Sequence, residues 1–125
     1  MKRSPRIVQT IYVTNLSLLA THQVDAAFWH EWEVFGVPGG LTFFLVFNIA
    51  AVFALAMGLV LVAKDDPKSR LCEHACAGVG AFTACIHAIF LYFDRHAFWS
   101  ASSLLILAAI ACASVAQVSI ARAKA

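Results

Sequence analysis

The side chains of this chain that could do chemistry are concentrated in one short stretch, THQVDAAFWHEWEVF, at residues 21–35. The stretch holds two histidines, one aspartate and two glutamates, and a further histidine, His87, stands alone in a later apolar segment. Imidazole and carboxylate groups are ligands of Zn²⁺ and Fe²⁺, and they also act as general acids and bases. These residue types predict a metal site or a proton-relay site that the stretch shares with His87.

His22, Asp25 and His87 are the first candidates for metal ligands. Asp25 follows His22 by three residues, which places both side chains on one side of a helix. If the helices start near Ile7 and Cys72, each histidine lies fifteen residues along its helix (22 − 7 and 87 − 72), or roughly 22 Å of rise. We therefore expect the two imidazoles to meet inside the fold. Three further residues could supply a fourth ligand or a general base: Glu33, Asp94 and His30.

The composition indicates that membrane helices position these residues. Hydrophobic residues make up 62% of the 125-residue chain and charged residues 13%, whereas a soluble domain usually has about 25% charged residues. Runs of mainly apolar residues predict four spans in a single membrane domain of residues 1–125, at about residues 7–29, 41–63, 75–93 and 97–121. The short links between them favour an all-α, up-down-up-down four-helix transmembrane bundle.

The basic residues predict the orientation of this bundle. Eight of the nine lysines and arginines precede the first span, lie between the second and third spans, or follow the fourth. Arg95 alone lies in the remaining link. By the positive-inside rule, both termini are cytoplasmic, and residues 21–35 lie in the outer half of the membrane.

Polar residues within the spans are expected to face the bundle interior, because an ionisable or amide group is costly in lipid. Asn15, His22 and Trp29 recur every seven residues and so share one stripe of the first helix. Asn15, Trp29 and Asn48 of the second helix are candidates for structural polar contacts. His30, Glu31 and His96 are expected to be wetted residues of the membrane interface.

The sequence HQVDAAFWHEWEVF at residues 22–35, followed by a Gly/Pro break and the lone His87, resembles a family of small bacterial integral membrane proteins of unknown function. The signature of that family is His-x-x-Asp/Glu at the end of the first helix, followed by a His-Glu-Trp segment. The chain is also similar to the HXXEE-type membrane proteins. The two parts of the signature are matched by His22 and Asp25, and by His30, Glu31 and Trp32. The resemblance implies a site in a protein of a bacterial inner membrane, and it brings no established activity.

Three functions remain open at this stage. The first is a divalent metal site, for Zn²⁺ or Fe²⁺, with or without catalysis. The second is a b-type haem carrier in which His22 and His87 are the axial ligands. The third is an accessory subunit, or a homo-oligomer, whose polar cluster locks the helices together within the lipid bilayer. Nucleic acid is excluded as a partner because no Lys/Arg-rich patch interleaved with aromatic residues occurs.

Overall fold

The structure is a computed structural model that describes residues 5–93 and 100–122. The described residues contain helices and no strand, which confirms the all-α prediction. Five helices follow one another in the chain: α1 at Pro5–Phe28, α2 at Glu31–Val34, α3 at Gly40–Ala63, α4 at Ser69–Phe93 and α5 at Ala101–Arg122. The short helix α2 lies within the stretch that holds most of the candidate site residues.

Three of the helices, α3, α4 and α5, are long and apolar enough to cross a membrane. They contain 24, 25 and 22 residues, and about 20 apolar residues span the hydrocarbon core of a bilayer. The predicted third span, at residues 75–93, is the apolar part of a helix that begins earlier, at Ser69. The length and composition of these three helices suggest that the chain is located in a membrane and that they contact lipid.

The first helix, α1, matches the others in length, with 24 residues, but it is more polar. Its buried side consists of residues spaced three and four apart: Val8, Tyr12, Asn15, Leu19, His22 and Ala26. A second, exposed side carries the hydroxyls of Thr10, Thr14, Ser17 and Thr21, which we call the hydroxyl face. The Thr21 Oγ donates a hydrogen bond of 2.9 Å to the Ser17 carbonyl, which satisfies one of these hydroxyls within the helix.

Helix α5 packs closely against both α1 and α4. The Asn15 Nδ2 donates to the Ser114 Oγ at 3.2 Å and to the Gln117 Oε1 at 2.8 Å, which joins α1 to α5. The Gln117 Nε2 in turn donates to the Glu73 carbonyl of α4 at 3.0 Å. A Cβ atom at Gly80 of α4 would overlap the Ser114 hydroxyl, so this close approach depends on glycine.

Helix α3 contacts the rest of the bundle mainly near its C-terminal end. Gly58 and Val62 are its buried residues. The Tyr12 hydroxyl packs against Gly58 and donates a hydrogen bond of 2.9 Å to the Leu55 carbonyl. The N-terminal half of α3 has no buried residue, so it leaves a space between itself, α1 and α4. We call the end of the bundle near Val62 the basic end, and the opposite end, where α2 lies, the α2 end.

Candidate metal site

The site forms where the chain turns back at the end of α1. The helix ends at Phe28, and His30 adopts a left-handed backbone conformation with φ 50° and ψ 47°. This turn directs α2 across the end of the bundle, so that Glu31 and Trp32 are only 5% and 9% exposed. The Trp32 ring packs against the Phe44 ring of α3, with 5.0 Å between their centroids.

Hydrogen bonds at the end of α1 fix this turn against α5. The Trp29 Nε1 donates to the Ser103 Oγ at 3.2 Å. Ser103 belongs to the first turn of α5, where its backbone N–H donates to the Ser100 Oγ at 3.0 Å. Ser100 therefore caps the N-terminus of α5. The hydrogen bond to Ser103 in this first turn fixes the indole of Trp29, the residue before the left-handed turn at His30.

Two imidazoles and one carboxylate meet beneath this turn, at His22 of α1, Glu31 of α2 and His87 of α4, which we call the triad. Their ligand atoms all lie within 4.8 Å of one another, and all three residues are buried. Glu31 lies between the histidines, with its Oε1 3.1 Å from the His87 Nε2 and its Oε2 3.8 Å from the His22 Nε2. The imidazole rings meet edge to face, with their centroids 4.7 Å apart.

The backbone of α4 determines which nitrogen of His87 faces Glu31. The His87 Nδ1 lies 2.7 Å from the Thr83 carbonyl oxygen. A carbonyl only accepts hydrogen bonds, so Nδ1 carries a proton and donates. The Nε2 atom is then the one that can bind a metal ion. Metal-binding histidines almost always donate their other N–H group to a carbonyl or carboxylate in this way.

Among the described residues, the imidazole of His22 lacks the kind of hydrogen bond that orients His87. The side chain is 2% exposed, and its Nδ1 has no hydrogen-bond partner in the described part of the chain. An unpartnered buried nitrogen costs roughly 1–3 kcal/mol. His87 has the second hydrogen-bond partner that is usual for a metal-binding histidine, and His22 lacks one in the described part of the chain.

The structure brings together two of the three first-choice ligands. His22 and His87 are in contact, as their equal spacing along two helices predicts. The carboxylate between them comes from Glu31, while Asp25 is half-buried one turn further along α1 and lies outside the triad. The expectation that Glu31 is a wetted interface residue is wrong, because α1 ends at Phe28 and the turn folds Glu31 inward.

The remaining candidates are distributed around the site. His30 and Glu33 are exposed and lie outside the triad. Asp94 and His96 fall outside the described residues. Among the expected structural contacts, Asn15 and Trp29 reach α5, whereas the Asn48 Nδ2 donates within α3, to the Phe44 carbonyl at 2.8 Å.

The same geometry does not fit a haem. Two histidines that bind one haem approach the iron from opposite faces of the porphyrin. Here the rings of His22 and His87 touch, and the Glu31 carboxylate lies against the Nε2 atoms of both. No slot for a planar macrocycle exists between them.

The family model described as "Family of unknown function (DUF6713)" matches residues 8–124. The chain belongs to this family. The match extends from the first turn of α1 to beyond the end of α5, so it includes every member of the triad. Neither a curated protein nor a solved structure matches the chain.

Proposed function

We propose that this protein binds a divalent metal ion through His22, Glu31 and His87. The observation that carries the proposal is the meeting of two imidazoles and one carboxylate, from three separate helices, in a buried cluster. Two histidines and one carboxylate are a ligand set of non-haem Fe²⁺ sites and of catalytic Zn²⁺ sites. Three protein ligands leave a coordination position for water or substrate, which favours a chemical role over a purely structural one.

The distances in the triad support this proposal. With Zn–N and Zn–O bonds of about 2.0–2.2 Å, the ligand atoms of a tetrahedral site lie roughly 3.3 Å apart. The His87 Nε2 lies 3.1 Å from the Glu31 Oε1, and the His22 Nε2 lies 3.8 Å from the Glu31 Oε2. One ligand atom of each residue lies within 4.8 Å of the other two, so the three atoms would move closer together around one ion.

We also propose that α1 crosses the membrane as a fourth span, in an up-down-up-down bundle with both termini in the cytoplasm of a bacterium. Basic residues support this orientation, since those of the described part lie at the basic end: Arg6, Lys64, Lys68, Arg70 and Arg122. The triad then lies in the outer half of the inner membrane. We further propose that the protein is related to the HXXEE-type membrane proteins.

Metal analysis of the purified protein tests the proposed site. Detergent-solubilised protein is loaded with Zn²⁺, or anaerobically with Fe²⁺, and the metal retained after desalting is measured. One ion per chain is expected. Glu31→Gln is expected to weaken binding more than about a hundredfold, since the loss of an outer-shell partner alone costs 10–100-fold. Glu33→Gln is the matched control, because Glu33 lies on the same short helix but is exposed.

The histidines offer an equally close control pair on α4. His74 and His87 each have an Nδ1 2.7 Å from the carbonyl four residues earlier, but His74 is exposed and far from the triad. His87→Gln is expected to abolish metal retention, and His74→Gln to leave it unchanged. Wild-type protein that retains no metal, or equal behaviour within either pair, would overturn the proposal.

One observation favours a second function, that of a subunit in a larger membrane assembly. The hydroxyl face of α1 is exposed although α1 is proposed to lie in lipid. Ser and Thr are enriched where membrane helices pack against one another. A photo-crosslinking amino acid at Thr14 is then expected to capture a protein, whereas the same group at Ile49, exposed on α3, captures lipid. Lipid capture at both positions would contradict this second function.

A further inference from the structure

A large apolar cavity lies between α1, α3 and α4 and extends along the bundle from the triad. It is partly open to its surroundings, and its volume of about 1090 Å³ is just above the range of roughly 300–1,000 Å³ for small-molecule sites. The cavity exists because the N-terminal half of α3 stands away from its neighbours. Phe47, Val52 and Phe82 line its walls with exposed apolar surface.

The two ends of the cavity differ in chemistry. At the basic end it is closed where Tyr12 packs against Gly58. At the α2 end it is bounded by Trp32 and by the triad. From Phe43 to Gly58 the cavity follows α3 for fifteen residues (58 − 43), or about 22 Å. The hydrocarbon part of one leaflet is about 15 Å thick, so the cavity is long enough to hold a single extended lipid chain.

The charges around the cavity restrict the polar end of such a ligand. No lysine or arginine of the described residues lines it, and the acidic residue that does is Glu31. When no metal ion is bound at the triad, a phosphate group would therefore meet a carboxylate with no lysine or arginine of the described residues beside it. A neutral oxygen, such as a hydroxyl or an ester, can instead accept a hydrogen bond from an imidazole of the triad.

We propose that this cavity binds one neutral long-chain lipid, whose chain lies along α3 and whose hydroxyl or ester oxygen lies at the triad. The chain-binding part of this proposal depends on the cavity alone. The placement of the oxygen depends on the imidazoles of the triad and does not require a bound metal ion.

Photolabelling in nanodiscs tests the proposal. The probe is hexadecanol with a diazirine in its chain, present at trace level in phosphatidylcholine nanodiscs that contain the full chain. The comparison probe has the same diazirine chain esterified in phosphatidylcholine. Labelling of the peptide that contains Phe82 is measured by mass spectrometry. The alcohol probe is expected to label this peptide about tenfold more than the phospholipid probe does. This ratio corresponds to a difference in binding free energy of about 1.4 kcal/mol.

Substitutions on α3 show whether labelling comes from within the cavity. Ala51 lines the cavity, whereas Ala50 is exposed and does not. Ala51→Phe is expected to lower alcohol labelling about tenfold by overpacking the site, and Ala50→Phe to leave it unchanged. Gly78→Leu on α4 serves as a second filling variant, because a Cβ atom there meets open space and the fold can accept it.

The outcomes separate the lipid proposal from the metal proposal. Preferential alcohol labelling that is lost in both filling variants and retained in Ala50→Phe supports the lipid site. Equal labelling by both probes, or labelling that Ala51→Phe does not change, overturns it. Bound zinc is measured in the same samples. Bound zinc without preferential labelling by the alcohol overturns the lipid site alone. Preferential labelling by the alcohol without bound zinc overturns the metal site alone.

Discussion

Replacing Asn15 by leucine tests whether the polar contacts between α1 and α5 hold the helix that carries His22. The change keeps the side-chain volume similar and removes the hydrogen bonds to Ser114 and Gln117. Hydrogen bonds between membrane helices contribute about 0.6 kcal/mol each on average. Leaving the buried Gln117 oxygen without its donor adds roughly 1–3 kcal/mol, and removing the buried Asn15 Oδ1, which has no partner in the described part of the chain, offsets part of this cost. We therefore expect Asn15→Leu to lower the free energy of unfolding by roughly 1–3 kcal/mol.

Reversible unfolding in SDS, followed by circular dichroism, measures this effect. Asn48→Leu is the matched control, because the Asn48 Nδ2 donates only within α3 and its Oδ1 has no partner in the described part of the chain. The control is expected to change the free energy by less than about 0.5 kcal/mol. Equal destabilisation by the two substitutions would refute the view that Asn15 fastens α1 to α5.

Three further predictions concern packing, the turn and the orientation. Gly80→Ala is expected to destabilise the fold by about 1–3 kcal/mol in the same SDS titration, because its Cβ overlaps Ser114; Gly78→Ala, whose Cβ meets open space, is expected to be neutral or stabilising. His30→Gly is expected to retain metal and to stabilise the left-handed turn by roughly 1 kcal/mol in that titration; loss of metal would instead make His30 a ligand. Green fluorescent protein fused after the C-terminus is expected to fluoresce, and alkaline phosphatase fused after Gly36 to be active; the opposite pattern would invert the proposed orientation.

The helical architecture could be predicted because its causes are local. Long apolar runs mark α3, α4 and α5 directly, and GVPGG at residues 36–40 marks the break before α3. The meeting of His22 with His87 follows from equal spacing along two helices of similar rise. Both inferences need only helix geometry and the cost of placing polar groups in lipid.

The carboxylate of the site could not be predicted in the same way. Glu31 enters the triad because His30 turns the backbone, and a left-handed histidine has no signal of its own in a sequence. The turn depends on distant contacts, namely the packing of Trp32 against Phe44 and the hydrogen bond from Trp29 to α5. Asp25 is the nearer acid in sequence, but it lies one turn beyond His22, outside the cluster.

The cavity could not be predicted from the sequence either. Helix α3 is apolar on all sides, so its hydrophobic pattern does not show which face contacts its neighbours. The separation of its N-terminal half follows from two features of tertiary packing. The close contact of Tyr12 with Gly58 joins α3 to α1 toward the basic end, and Trp32 packs against α3 at the α2 end.

X-ray absorption at the zinc edge of zinc-loaded protein identifies the ligands of the proposed metal site. We expect a first shell of nitrogen and oxygen at about 2.0–2.2 Å with the outer scattering of two imidazoles, and no retained zinc in His87→Gln. The chain has four cysteines, at Cys72, Cys76, Cys85 and Cys112, that could bind zinc elsewhere. A sulfur shell near 2.3 Å, or a spectrum that His87→Gln does not alter, would contradict the proposed metal site.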